Sequence, residues 1–337
     1  MNSPVLNREL ISTTGTLELL VRQIRFEAPG INSYELMDPL AKPLPEPTAG
    51  SHVDVHLPGP LVRQYSLSND PADRDRYVFA VLKDEAGRGG SKALHKTVHV
   101  QDTIRISLPR NNFLLDETAS KYILLAGGIG ITPLKAMCHR LAALNANFVL
   151  HYCSKTPECA AFKNELTQFG PRNAVRFHHD GGNPANRLDI AALLAAYEEG
   201  AQLYYCGPPG FMKACANATG DWPKGSVHFE NFKAPVPVLP PSASEEGRSG
   251  PDEFDVEIAS SGQRIHVSAG QSIVEALEGA GITIETSCLS GLCGACKVRC
   301  LAGKPDHRDF ILNDDEKESY LTTCVSRCRT GPLVLDL

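Results

Sequence analysis

Apolar and polar residues alternate in short runs over the first third of the chain. The runs are Leu17–Arg22, His52–Leu57, Tyr77–Leu82 and Thr103–Leu108, separated by Pro, Gly and Asn/Asp as in AKPLPEPTAG and LPGPLVR. Many short runs with turn chemistry between them predict an antiparallel β-barrel or sandwich. The pattern then changes. Apolar runs at Tyr122–Ala126, Phe148–Cys153, Val175–His178 and Leu203–Cys206 alternate with helical periodicity at Leu134–Leu144 and Ile190–Glu198. That alternation predicts a parallel α/β sheet with crossover helices. From Phe232 to Pro251 the chain reads FKAPVPVLPPSASEEGRSGP, with no apolar period, and is expected to be a tether. Beyond it, Phe254–Ile258 and Arg264–Val267 flank the turn Ser260-Ser261-Gly262-Gln263 and predict a hairpin. Ser272 and Glu275 then form a capping-box pattern for a short helix ending near Gly281. The expected organisation is a barrel over 1–116, an α/β domain over 117–232, a linker over 233–251 and an α+β domain over 252–337.

Charge and cysteine usage narrow the chemistry. The 33 Lys and Arg against 39 Asp and Glu leave a formal charge of −6, which argues against a general nucleic-acid or anionic-membrane binder. The start, MNSPVLNRELISTTG, has no apolar signal core, and no run approaches the ~18 residues of a membrane span, so a soluble cytoplasmic protein is expected. Of 11 Cys, six (Cys288, Cys293, Cys296, Cys300, Cys324, Cys328) lie in the last 50 residues. An odd count without an export signal fits a disulfide framework poorly and points to metal chemistry at the C-terminal end.

Three motifs carry that chemistry further. Cys288-L-S-G-L-Cys293-G-A-Cys296 with a distant Cys324 has the C-x4-C-x2-C spacing of a plant-type 2Fe–2S site. Ser290, Gly291, Gly294 and Ala295 let the backbone wrap closely around such a core. The competing structural zinc site usually shows two C-x2-C pairs, and only one is clear here. Cys300 and Cys328 are expected to be ordinary thiols. Second, Ala126-Gly127-Gly128-Ile129-Gly130-Ile131-Thr132-Pro133 follows an apolar strand and opens a helix, as a pyrophosphate turn does. A second glycine turn, Cys206-Gly207-Pro208-Pro209-Gly210, follows a later strand and strengthens the nucleotide reading. Third, Arg63-Gln64-Tyr65-Ser66-Leu67-Ser68 and, further on, Gly87-Arg88-Gly89-Gly90-Ser91 together suit a phosphate-bearing aromatic ligand. His178-His179-Asp180 has ligand-type composition but no spaced partner, and is read as structural. Lys155 follows a strand end and by itself cannot choose NADP over NAD.

RQYSLSND, GRGGS, LLAGGIGITP, CGPPGFM and CLSGLCGACKVRCLAGKPDHRDFILNDDEK…TCVSR together closely resemble the phthalate dioxygenase reductase and vanillate demethylase reductase family. The likeness runs in order from about residue 16 to the closing VLDL. It implies FMN in a six-stranded antiparallel barrel, NADH on the α/β domain and a C-terminal ferredoxin domain of β-grasp type. By resemblance, Arg63, Tyr65 and Ser66 match the flavin motif, and Arg88, Gly89, Gly90 and Ser91 its phosphate stretch. Gly128, Gly130, Thr132 and Pro133 match the nicotinamide loop, with Thr132 expected close to the flavin. Cys206 and Gly207 join the cofactor-binding set, and Phe232 matches an aromatic near the flavin face. Cys288, Cys293, Cys296 and Cys324 match the cluster ligands. Cys328 after CVSR and Pro209 in the CGP turn depart from the usual pattern without touching a motif position. The implied activity takes hydride from NADH, with no acid or base catalyst, and passes single electrons to the Rieske centre of a separate aromatic-ring or O-demethylating oxygenase. A reductase of a di-iron or other monooxygenase, and a redox-sensing electron carrier, are the alternatives.

Overall fold

The structure is a computed structural model, and it describes residues 15–58, 61–87, 89–169, 174–233 and 253–337. Backbone packing divides the chain into two units, Met1–Phe232 and Lys233–Leu337. Most of the expected tether, and Arg88 of the expected phosphate stretch, lie outside the described residues.

The first unit opens with a six-stranded antiparallel sheet of β1 (Thr16–Ala28), β2 (Ile31–Met37), β3 (His52–His56), β4 (Val62–Ser66), β5 (Tyr77–Leu82) and β6 (Thr103–Ser107), in spatial order β4-β3-β6-β1-β2-β5. β1 is longer than the expected Leu17–Arg22 because it serves two neighbours. Its first residues pair with β6 and its later ones with β2, with a register shift between Val21 and Gln23 where it changes partner. Leu17, Leu19 and Val21 alternate inward, fully buried. The two edge strands meet through a Leu67–Phe79 bridge and the Ser68 N–H donating to Val78 O at 2.7 Å, which closes the sheet into a barrel. One helix, α1 (Gly90–Thr97), was not anticipated; its Leu94 packs into the barrel core.

The same unit continues into five parallel strands, β7 (Lys121–Gly127), β8 (Phe148–Ser154), β9 (Ala174–His179), β10 (Ala201–Cys206) and β11 (Val227–Glu230), in order β11-β10-β7-β8-β9. Helices α2 (Ile131–Ala143), α3 (Lys163–Leu166), α4 (Ile190–Leu193) and α5 (Pro209–Ala218) connect them. The expected helix over Ile190–Glu198 shortens to one turn, capped by the Asp189 side chain, which accepts from the Ala192 N–H. The chain runs outward from β7 to β9, then returns to place β10 on the other side of β7. Strand order therefore reverses between β7 and β10, and the two glycine turns leave the carboxyl ends of these two strands. That is where an open α/β sheet forms its ligand crevice.

The second unit is a five-stranded mixed sheet of β12 (Phe254–Ile258), β13 (Arg264–Val267), β14 (Lys297–Asp306), β15 (Tyr320–Thr322) and β16 (Arg327–Leu335), in order β13-β12-β16-β14-β15. The expected hairpin forms, with Phe254 opposite Val267. Helix α6 (Ile273–Gly279) starts at the anticipated capping box and buries Ile273 and Leu277 against the sheet. A single-turn helix, α7 (Asp314–Lys317), carries a second capping box from Asn313 and Glu316. The antiparallel barrel, parallel α/β sheet and α+β domain are thus the architecture of the chain. Among the described residues no helix is long and apolar enough to cross a membrane.

Candidate functional site

The flavin-type motif occupies β4 and its exit. Tyr65 stacks on Phe79 with ring centroids 5.2 Å apart, and Phe79 stacks in turn on Tyr34 at 5.4 Å. Burial pushes the Tyr65 phenol up, so the ring acts as a neutral aromatic wall. Arg63 and the glycines before α1, far apart in sequence, meet here. A Cβ on Gly90 would lie 2.4 Å from Arg63 Cγ and 2.7 Å from its Nε, so the Arg63 side chain passes over the start of α1 only because Gly90 has no side chain. Gly89 caps that helix in the left-handed region, at φ +87°. An arginine side chain beside a helix N-terminus is a chemically sound phosphate cradle. The Ser91 hydroxyl accepts from the Asp84 N–H at 3.0 Å, which fixes the preceding turn.

The nucleotide-type turns pack directly against each other. A Cβ on Gly130 would stand 2.2 Å from the Cys206 carbonyl oxygen, and one on Gly207 would stand 2.7 Å from Phe211. At Gly130 backbone meets backbone, leaving no flexible atom to yield, whereas at Gly207 the close neighbour is the Phe211 ring. Gly128 takes φ +54°, and the chain makes one 3-10 turn before α2 begins. Thr132 is buried, its hydroxyl donating to Ile129 O at 3.1 Å, and Pro133 follows in the first turn of α2. This bare turn at the switch point fits a dinucleotide pyrophosphate.

Between the two motifs sits a polar group that the sequence did not single out. The Ser66 hydroxyl donates to Glu230 Oε2 at 3.2 Å, although the residues are 164 positions apart. Burial raises the Glu230 carboxyl to about 7. Glu230 Oε1 lies 3.9 Å from Nδ1 of His52, the cross-strand neighbour of Ser66 on β3. His52 is fully enclosed, burial lowers it to about 4, and neither ring nitrogen has a hydrogen-bond partner among the described residues. Cys206 is also buried, and the Glu230 carboxylate adds to the burial that raises its thiol. The sequence placed Ser66 and Cys206 in separate motifs; the fold brings Glu230 to both. Phe232, two residues on, is 37% exposed. The one available signal for Glu230 was a lone acid ending an otherwise apolar strand in HFENF.

The four expected cluster cysteines come together as two pairs. Cys288 pairs with Cys293, and Cys296 with Cys324; the hydrogen bond from its partner lowers the Cys288 and Cys296 thiols below the ordinary cysteine range. Backbone N–H groups of Leu292 and Ala295 donate to the sulfurs of Cys288 and Cys293 at 3.4 and 3.5 Å. Among the described residues no three His, Cys, Asp or Glu converge on a single-ion point. Two thiol pairs with amides aimed at sulfur fit a two-iron core, in which each iron takes two thiolates. Gly291, at φ +71°, lets this loop rest on Asp309, whose Cα would be 2.9 Å from an added Cβ. Cys328 lies elsewhere, buried on β16 in the core of the unit, with its thiol donating to Gly331 O at 2.6 Å. Cys300 donates to Ala302 O at 3.2 Å.

Known proteins match this layout. A 2Fe-2S iron-sulfur cluster binding domain matches residues 256–329, and an oxidoreductase NAD-binding domain matches residues 124–217. The reductase subunit of tert-butanol monooxygenase / tert-amyl alcohol desaturase of Aquincola tertiaricarbonis is 52% identical over 325 residues, spanning 95% of this chain and 96% of that protein. Vanillate O-demethylase oxidoreductase of Pseudomonas sp. (strain HR199 / DSM 7063) is 43% identical, spanning 95% of this chain and all of that protein. The solved structure of phthalate dioxygenase reductase matches with a TM-score of 0.72 and 40% identity, covering 96% of this chain and 98% of that one. The chain is an NAD-binding, 2Fe–2S oxidoreductase and belongs to the phthalate dioxygenase reductase and vanillate O-demethylase reductase family.

Proposed function

We propose that this protein is the reductase component of a Rieske-type oxygenase, carrying electrons from NADH through FMN to its cluster and on to the oxygenase. The observation that carries the reading is the coexistence, in one chain, of an Arg63–α1 phosphate cradle, a glycine crossing at the sheet's switch point and four thiols gathered as the pairs Cys288–Cys293 and Cys296–Cys324. When bound, the nicotinamide supplies a hydride, the flavin takes two electrons and releases them singly, and the cluster accepts one at a time.

The residues divide this work. Arg63, with Gly89 and Gly90 at the start of α1, holds a terminal phosphate in the barrel, which favours FMN as the flavin. Tyr65 offers its ring, backed by Phe79. Gly128, Gly130 and Gly207 let a pyrophosphate approach the amides before α2 and beside Cys206. Thr132 and Phe232 would contribute to the place where the nicotinamide and flavin rings meet, as the family resemblance implies. Ser66 and Glu230 supply a hydroxyl and a buried carboxyl joined by a hydrogen bond. Cys288, Cys293, Cys296 and Cys324 hold the cluster. NADH is favoured over NADPH because no Arg/Lys pair directly follows the Phe148–Ser154 strand to neutralise a 2′-phosphate, Lys155 being a lone candidate there.

The organic substrate binds the oxygenase, so this chain does not select it. A second reading, service to another monooxygenase, is favoured by the alcohol monooxygenase reductase among its relatives. The deciding experiment is reconstitution of purified reductase with candidate oxygenases under NADH and, separately, NADPH. NADH-driven reduction of a Rieske centre, followed by product formation, is the expected result. Turnover with a di-iron or haem oxygenase but no Rieske protein would replace the first reading with the second.

A further inference from the structure

One ammonium group in the first unit is placed where an apolar side chain would be expected. Lys135, in the second turn of α2, is 3% exposed. Its Nζ donates to Ser68 O at 3.0 Å, pairs with Glu165 Oε2 at 2.7 Å and lies 4.8 Å from the Phe162 ring centroid. Ser68 belongs to the barrel and is itself rigidly held, its N–H and hydroxyl both donating to Val78 O. It stands two residues after Ser66 in the flavin motif. Glu165 in turn pairs with Arg25 of β1 at 3.3 Å. The chain Arg25–Glu165–Lys135–Ser68 O therefore ties the α/β region to the barrel at two places.

Two further observations give this contact a purpose. A cavity of about 190 Å³ lies beside it, walled by Gln23, Asn69 and Asp70 from the barrel and by His139 and Phe162 from the α/β region. Close apolar packing therefore does not fix the angle between the two parts at this point. Phe162 is also held in the left-handed region, at φ +58°, a conformation that bulky residues rarely adopt. That conformation begins α3 and brings Glu165 to Lys135. A buried, paired lysine is a poor stabiliser compared with an apolar residue of its size, but it specifies one register. Thr132 lies three residues earlier, on the same face of α2 as Lys135.

We infer that Lys135 is a positioning residue that sets the approach of the nicotinamide loop to the flavin-motif strand. Its contacts are to Ser68 O, Glu165 and Phe162, so it acts through α2. The inference rests on the reductase reading above, and the test separates the two. NADH is mixed anaerobically with the flavin-loaded, full-length protein in a stopped-flow instrument, and amide exchange of α2 is followed in parallel. Lys135→Met is expected to bind NADH within about threefold of wild type while flavin reduction slows on the order of tenfold or more. Amides at the start of α2 should exchange faster, and Lys135→Arg should recover part of the rate. If Lys135→Met fails to fold, Glu165→Gln replaces it, with a smaller rate loss expected at unchanged NADH affinity. An unchanged reduction rate in the folded variant overturns the inference. So does a proportional loss of rate, NADH affinity and thermal midpoint, which marks a purely structural role. Failure of the wild-type flavin to be reduced by NADH would instead sink the reductase reading.

Discussion

The cysteine loop and the proposed flavin and dinucleotide crevice of the first unit would solve the same problem, holding a cofactor, from opposite ends of the sequence scale. Three of the four thiols sit within nine residues, Cys288 to Cys296, and the fourth enters from the strand region beside them. The crevice draws Arg63 and Gly90, Gly130 and Cys206, Ser66 and Glu230 from positions up to 164 apart. A metal cluster is held by side-chain bonds, so residue type and spacing are the site. A dinucleotide or flavin is held largely by backbone amides and by the absence of side chains, so the site exists only where two turns cross. Local sites are fragile to one ligand; assembled sites are fragile to one added methyl group.

The largest expected effect tests the local site. Cys324→Ser should abolish the 2Fe–2S EPR signal and one-electron transfer to cytochrome c, while NADH still reduces the flavin. Loss of flavin reduction in the folded variant would break the separation of the two steps. Next, Gly130→Ala places a methyl group 2.2 Å from the Cys206 carbonyl oxygen. It should lower kcat/KM for NADH on the order of 100-fold, equivalent to about 2.7 kcal/mol, with flavin and cluster spectra retained. Near-normal kinetics would show that the crossing is not where the dinucleotide binds. Gly90→Ala displaces the Arg63 side chain, a more flexible neighbour, and should weaken flavin retention by roughly tenfold, about 1.4 kcal/mol, as read by fluorescence of released flavin.

A smaller effect concerns pH. Glu230 is raised to about 7 from an ordinary 4.5, so the folded protein binds more protons than the unfolded chain between these values. The Glu230 contribution to stability is therefore lost as pH rises through about 4.5 to 7, opposite in sign to that of His52, which burial lowers to about 4. Glu230→Gln should remove the Glu230 contribution, changing the Tm difference between the two proteins by at least about 2–4 °C across that window. Parallel pH profiles for the two proteins would refute the assignment. The smallest effect is Cys328→Ser, which keeps a donor for Gly331 O and should leave the cluster signal near wild type. Cluster loss there would reopen the choice of the fourth ligand.

The alternating runs gave the barrel and the α/β sheet because burial on one face imposes period two and burial on both faces imposes continuous apolar strands. The capping box at Ser272 was readable because its bonds close within three residues. α1 was hidden by its glycines, which look like loop until Arg63 packs over them. The shortened helix after Asp189 shows the reverse, a plausible periodicity that yields one capped turn.

The sequence by itself determined the three-part architecture, the cysteine pattern and the glycine turns, since each is encoded by neighbours along the chain. Only the tertiary structure decided that Glu230 meets Ser66 and His52, that Cys328 belongs to a core, and that Lys135 reaches Ser68 O. Those outcomes depend on strand order and on which desolvated groups end up within a few ångströms of each other. Coulombic and hydrogen-bond energies are set by distances that chain spacing does not contain.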